Sequence, residues 1–152
     1  MLGAESRPDP PTPALTDSPP DPRAHALLAA ALAARPHAHA PYSRFAVGAA
    51  LMDEHGRIHA GCNVENAAYP EGLCAEAVAL GVLVLAGGTR VTAALVAADA
   101  PSPITPCGGC RQKLREFALD EAPVWSADAT GITARHTLGA LLPAGFGPAQ
   151  LG

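Results

Sequence analysis

Aromatic side chains are scarce in this chain of 152 residues, where they make up only 4% of the sequence. Hydrophobic residues nevertheless account for 49% and charged residues for 16%, values typical of a folded globular protein rather than of a disordered one. A core with so few rings must be built from Ala, Val, Leu and Ile. Each aromatic ring is therefore a candidate for a functional role.

Positive charge and long apolar runs are also lacking. Lys113 is the single lysine and the formal net charge is −4, which argues against a polybasic surface for a nucleic-acid polymer or an anionic membrane. The uncharged stretch around the most apolar segment, residues 77–89, falls short of the roughly 20 residues that span a bilayer. No apolar segment follows Met1 as in a secretory signal, so we expect a cytoplasmic protein.

Cysteines are too few for a disulfide scaffold, because only four occur in the whole chain. In a reducing compartment they are expected to be thiols or metal ligands. They are Cys62, Cys74, Cys107 and Cys110.

Proline is concentrated at one end of the chain. Residues 1–22 hold seven of the 16 prolines, and proline removes backbone donors and disfavours helix in the residue before it. We expect residues 1–22 to be a disordered extension and residues 23–152 to form one catalytic domain. Within that domain the pattern predicts helices over 24–34, 73–86 and 107–119, and strands over 45–52, 57–62, 91–98, 122–127 and 132–137. This alternation predicts an α/β fold, a helix–sheet–helix sandwich of three layers.

Two cysteine motifs carry the chemistry. Pro106 precedes Cys107 and Cys110, whose i, i+3 spacing brings both sulfurs to one side of a first helical turn. Cys74 is expected to open the other helix, so that two helix N-termini converge and stabilise thiolates. Three protein ligands with one open position form a catalytic zinc arrangement.

Glu76 lies two residues after Cys74, an offset that does not share a helix face. It is therefore better placed to take a proton from the attacking water and pass it to a substrate nitrogen than to bind metal. A structural zinc site is the alternative, and it would need a fourth ligand such as Cys62. Cys62 at a strand end is more typical of a buried thiol.

The order of a ligand, one residue, Glu, and then Pro-Cys-x-x-Cys is typical of zinc-dependent base deaminases. The chain resembles the small tetrameric cytidine deaminases in these motifs, and also over residues 40–51, 61–70 and 141–148. The resemblance implies a mixed sheet, one Zn²⁺ per chain and a homotetramer. It also implies hydrolytic deamination of cytidine and deoxycytidine to uridine and deoxyuridine with release of ammonia, as part of pyrimidine salvage.

The resemblance also implies roles for residues that match the family pattern. Asn63 and Glu65 match the pair that binds the ribose, and Phe45 matches the ring that packs on the pyrimidine. The backbone N–H of Ala75 would meet the base carbonyl, and the carbonyl of Thr105 would accept from the amino group. Two further rings resemble residues that reach a neighbouring subunit's site, and these are Tyr69 and Phe146. For Tyr42 a packing role and a pocket role both remain open.

One position departs from the family pattern. Members with three cysteines commonly carry Arg after the catalytic Glu, where it hydrogen-bonds the thiolates, but this chain has Ala77. Three thiolates on Zn²⁺ leave a net negative charge. We therefore expect Arg111, next to Cys110, to compensate that charge together with the two helix N-termini.

Three other functions fit parts of the pattern. Without Arg after Glu76, the motif also resembles relatives that act on another aminated heterocycle, such as blasticidin S. A polynucleotide deaminase is disfavoured by the net negative charge, and a non-catalytic zinc module would hold metal without turnover.

Overall fold

A computed structural model describes residues 21–152. The predicted extension, apart from Asp21 and Pro22, therefore lies outside the described residues. Asp21 caps the first helix, accepting from the backbone N–H of Arg23 at 3.0 Å. Pro22 is the first helical residue, where its missing N–H costs nothing. The helix thus begins two residues before the predicted start.

Within residues 21–152, five strands form one mixed sheet flanked by helices. The helices are α1 (Pro22–Ala34), α2 (Ala75–Leu85), α3 (Gly108–Phe117) and α4 (Leu138–Leu141). The strands are β1 (Gly48–Asp53), β2 (Ile58–Cys62), β3 (Val91–Ala97), β4 (Pro123–Asp128) and β5 (Gly131–Thr137). The sheet order is β2-β1-β3-β4-β5, with β3 and β4 parallel and the other neighbours antiparallel. The predicted α/β class is confirmed.

The core has two halves, one on each face of the sheet. Alternation along β3 places Ala93 and Leu95 against α1, with Trp125 of β4, while Ala94 faces the opposite side. On that side Leu83 of α2 and Leu114 of α3 are buried. The helices therefore cover both faces, which gives the three predicted layers. Among the described residues no helix has the length and apolar character needed to cross a membrane.

Glycines allow two helices to lie very close to the sheet. A Cβ on Gly61 of β2 would lie 2.5 Å from the backbone nitrogen of Ala79 in α2. A Cβ on Gly48 of β1 would lie 2.0 Å from the carbonyl oxygen of Ala31 in α1. Any side chain at Gly61 would push α2 outward, and α2 begins directly after Cys74.

Candidate zinc centre and substrate cavity

Two helix N-termini meet at the cysteines. Cys74 is the N-cap residue of α2, and Cys107 is the N-cap residue of α3. Cys110 is the third residue of α3, within its first turn, and is buried. The ligand atoms of these three residues all lie within 4.8 Å of one another. Cys62 is not part of this group. It lies at the end of β2 and is half-buried rather than buried as expected.

The sulfur spacing fits zinc. Tetrahedral zinc with Zn–S bonds of about 2.3 Å separates two sulfurs by about 3.8 Å. The Sγ atoms of Cys74 and Cys107 are 3.8 Å apart. Three soft thiol ligands suit Zn²⁺, and three leave the fourth tetrahedral position open.

The three thiols differ in acidity. Burial raises the pKa of Cys110, and the nearby carboxylate of Glu76 raises it further. Burial acts on Cys107 too, but hydrogen bonds from the backbone and side chain of Cys110 outweigh it and lower the pKa of Cys107. Burial also raises the pKa of Cys74, so Cys107 is the one of these three thiols whose pKa lies below its ordinary value. Zinc binds thiolates, and its ligands lose their protons when it binds.

Glu76 is placed beside the sulfurs but held apart from water. It lies in the first turn of α2, and only 7% of the residue is exposed. Burial raises the pKa of its carboxyl group above the ordinary value. A carboxylate in this environment accepts a proton more readily than one in water, as a proton carrier requires.

A cavity of about 510 Å³ opens next to the sulfurs. Its lining contains most of the residues that the sequence predicted for the site, namely Phe45, Asn63, Glu65, Cys74, Ala75, Glu76, Thr105 and Cys107. It also contains residues that were not predicted, namely Ser43, Val47, Val64, Gly72, Leu73, Val96 and Ile104. Ser43 was within reach of sequence reasoning, because it lies in the same Pro-Tyr-Ser-Arg-Phe segment as Phe45.

Asn63 and Glu65 hold the segment that carries Phe45. The side-chain amide of Asn63 donates to the Phe45 carbonyl at 2.9 Å, and its Oδ1 accepts from the Val47 N–H at 2.8 Å. Glu65 accepts from the backbone N–H groups of Tyr42 and Ser43 and from the Ser43 hydroxyl. The Ser43 hydroxyl bond comes first among the causes that lower the pKa of Glu65.

The two remaining rings and Arg111 lie outside this cavity lining. Tyr69 lines a smaller adjacent cavity of about 280 Å³, where its ring meets that of Tyr42 edge-on at 5.9 Å. Phe146 lies in the C-terminal segment and is 57% exposed. Arg111 donates to Pro106, Thr105 and Leu141, and among the described residues it makes no hydrogen bond to a cysteine sulfur.

Comparison with known proteins places this site in a family. Residues 22–126 match the family model described as "Cytidine and deoxycytidylate deaminase zinc-binding region". The chain belongs to the cytidine and deoxycytidylate deaminase family. A curated cytidine deaminase from Sporosarcina psychrophila is 42% identical over 125 residues, which is 82% of this chain and 92% of the relative.

Further relatives extend the match to solved structures of the deaminase family. A curated cytidine deaminase from Halalkalibacterium halodurans is 40% identical over 79% of this chain and 91% of its own length. The crystal structure of a Burkholderia pseudomallei cytidine deaminase superimposes with a TM-score of 0.76 at 43% identity, covering 80% of this chain and 98% of that chain.

Proposed function

We propose that this protein catalyses the zinc-dependent hydrolytic deamination of cytidine and deoxycytidine, releasing ammonia and forming uridine and deoxyuridine. The observation that carries the proposal is the three-thiol group at the end of a nucleoside-sized cavity, with buried Glu76 beside it. Cys74, Cys107 and Cys110 would hold the zinc. When zinc is bound, it supplies the Lewis acidity that makes water a nucleophile near neutral pH.

Glu76 moves the protons of the reaction. Its carboxylate takes a proton from the attacking water and delivers it to the ring nitrogen next to the reacting carbon, C4. It then takes the proton of the hydroxyl group now on C4 and passes it to the amino group, so that C4 keeps a carbonyl oxygen and the amino group leaves as ammonia. The raised pKa of the buried carboxyl group makes it a better base than an exposed one.

Backbone groups orient the base. Ala75 is the first residue of α2, where helical N–H groups have no partner within the helix. Its N–H would meet the carbonyl oxygen of cytosine, while the Thr105 carbonyl would accept from the amino group. Phe45 would pack on the pyrimidine ring, because its side chain lines the same cavity as Glu76.

Asn63 and Glu65 would bind one sugar hydroxyl between them. A carboxylate offers about four lone-pair positions, and Glu65 uses three for Tyr42 and Ser43. An amide offers two N–H groups, and Asn63 uses one for Phe45. The hydroxyl can therefore donate to Glu65 and accept from Asn63 without breaking the bonds that hold the Phe45 segment.

The proposed working unit is a homotetramer in the cytoplasm, acting on free nucleosides in pyrimidine salvage. Tyr69 is 78% exposed and Phe146 is 57% exposed, values that favour burial against another copy of the chain. Both rings would complete a neighbouring copy's site. The net charge of −4 favours a small nucleoside over a nucleic-acid polymer.

Metal analysis combined with a turnover assay tests the proposal. We expect about one zinc per chain and ammonia release from cytidine and deoxycytidine, but not from a cytosine-containing oligonucleotide. Blasticidin S in the same assay separates the enzyme from relatives that act on other heterocycles. Zinc without turnover on any nucleoside would contradict the proposal and favour a non-catalytic zinc module.

A further inference from the structure

Arg111 makes three directional bonds at the edge of the cavity. It follows Cys110 in α3, and its guanidinium is partly buried. Nε donates to the Pro106 carbonyl at 2.7 Å, and one terminal nitrogen donates to the Thr105 hydroxyl at 2.8 Å. The other terminal nitrogen donates to the Leu141 carbonyl at 2.8 Å.

These partners are all uncharged. In the part of the chain that the structure describes, no carboxylate forms an ion pair with Arg111. Directed hydrogen bonds rather than ion pairs therefore hold the side chain, because a planar guanidinium presents its N–H groups in a fixed fork. The Leu141 carbonyl lies 30 residues away in the chain, so it anchors the fork independently of the segment before Cys107.

Two of the three hydrogen bonds from Arg111 flank the peptide unit between Thr105 and Pro106. Along the chain the Thr105 hydroxyl precedes this peptide unit and the Pro106 carbonyl follows it, so Arg111 bonds a group before it and a group after it. Pro106 has no N–H, so this peptide unit cannot be fixed by donating a hydrogen bond of its own. The guanidinium supplies the fixation instead, and Thr105 lines the cavity.

We propose that Arg111 is a positioning residue that holds the Thr105 carbonyl in place to accept from the amino group of cytosine. The proposal rests on the proposed function, in which that carbonyl meets the amino group. It differs from charge compensation at the thiolates, because compensation needs only a positive charge, whereas positioning needs the shape of the fork.

Arg111→Lys and Arg111→Met separate the two roles. Lysine keeps the charge but cannot form the three directed bonds, so we expect both variants to lose a similar part of kcat/KM for cytidine. A displaced reacting group costs on the order of ten- to hundredfold. Zinc content should stay near one per chain. Uridine has no amino group at C4 and cannot use the Thr105 carbonyl in this way. Its inhibition constant should therefore change by less than about threefold, which corresponds to about 0.65 kcal/mol of binding free energy.

A second pair of variants leaves the arginine untouched. Thr105→Val keeps the shape of the side chain but removes the acceptor for Arg111, and Thr105→Ser retains the hydroxyl. We expect the valine variant to lose kcat/KM and the serine variant to recover most of it. This pair decides the question if the Arg111 variants do not fold.

Arg23→Lys is the matched control for the change of an arginine. Arg23 is in α1, on the opposite face of the sheet, and donates to Asp21 and to the Thr92 carbonyl. Its replacement should leave kcat/KM within about twofold, because no bond to the cavity is lost.

Three results would overturn the inference while leaving the proposed function intact, provided that the wild-type enzyme deaminates cytidine. They are full activity of Arg111→Lys beside an inactive Arg111→Met, loss of zinc from the variants in proportion to activity, and equal activity of Thr105→Val and Thr105→Ser. A wild-type protein that turns over no nucleoside would instead contradict the proposed function, and the inference with it.

Discussion

Glu76 and Cys110 lie in the first turns of α2 and α3, and Cys74 and Cys107 cap the same two helices, so each chemical group is fixed at the start of a helix. Burial of Glu76 shields from bulk water the carboxylate that we propose carries the protons. The side chain is not one of the three clustered thiols, and its removal should therefore separate proton transfer from metal binding.

Glu76→Gln should keep zinc and lose turnover. Glutamine has nearly the same shape, but its amide cannot accept and release the proton. General acid–base catalysis contributes typically about 10²- to 10⁴-fold, so kcat for cytidine should fall by at least that range. Steady-state kinetics with zinc analysis on the same samples measures both. Turnover within tenfold of wild type would remove Glu76 from its proposed role.

The buried hydroxyl group of Ser126 lowers the stability of the folded protein. It lies in β4 with 0% exposure, and its hydroxyl has no hydrogen-bond partner among the described residues. A buried unsatisfied polar group costs about 1–3 kcal/mol. Ser126→Ala should therefore raise the free energy of unfolding by about 1 kcal/mol in urea titrations. Ser102→Ala in an exposed loop is the control, and a less stable Ser126→Ala protein would refute this account.

At the scale of elements, the sequence pattern predicted the starts of α2 and α3 within two residues but placed the start of β1 three residues too early. The cysteine motifs predicted that two helices begin at the metal site, and the structure confirms that Cys74 and Cys107 cap α2 and α3. The strand predicted from residue 45 instead begins at Gly48. The Asn63 side chain bonds the backbone of Phe45 and Val47, and a single backbone bond joins Asn63 to Val47, so the regular ladder does not extend to residue 45.

That contact joins positions far apart in sequence, and no local periodicity encodes it. The short helix α4 was missed for a different reason, because four residues show no helical period. Its start depends on one local bond, in which the Thr137 hydroxyl accepts from the Ala140 N–H at 3.3 Å. Long-range contacts and single capping bonds are thus the parts of this fold that pattern analysis cannot supply.

The β1–β2 turn is tied to the loop before β3 by Glu54. Its carboxylate accepts from the backbone N–H groups of Thr89 and Arg90 and from the Thr89 hydroxyl, with distances of 2.8 to 3.2 Å. The bond from its own backbone N–H and that from the Thr89 hydroxyl lead the causes that lower the pKa of Glu54 to about 2. The charged form is therefore the one that the folded state favours.

A folded pKa below the unfolded value gives stability that is complete above the unfolded pKa of about 4.3 and is lost as the pH falls toward 2. Glu54→Gln cannot titrate, so it should be less stable than wild type at pH 7, with a gap that closes as the pH falls from 5 to 2. Urea unfolding across that range measures the gap. Glu116→Gln, on an exposed position of α3, controls for the loss of one negative charge. A gap that stays constant with pH would contradict the role of Glu54.

At the scale of the whole molecule, large apolar side chains remain uncovered on the single chain. Leu85 at the end of α2 is 89% exposed, and Val82 and Val84 are 41% and 49% exposed. Tyr69 and Phe146 add two exposed rings elsewhere on the surface. The proposed tetramer would cover such side chains, because contiguous exposed apolar surface is typical of sites that meet another protein.

The proposed sharing of a site between neighbouring subunits predicts that activity depends on which variants are combined in one oligomer. Phe146→Ala alone should raise KM for cytidine, because the neighbouring site loses a ring, and Glu76→Gln alone should be nearly inactive. In a mixed oligomer, a Phe146→Ala subunit keeps Glu76 and can receive Phe146 from a Glu76→Gln neighbour. Co-expressed variants should therefore show more activity, at cytidine concentrations below KM, than the sum of the two proteins mixed without subunit exchange. Activity equal to that sum would mean that Phe146 serves no neighbouring site. Size measurement of the mixed particle by light scattering should give four chains, since a monomer could not share its site at all.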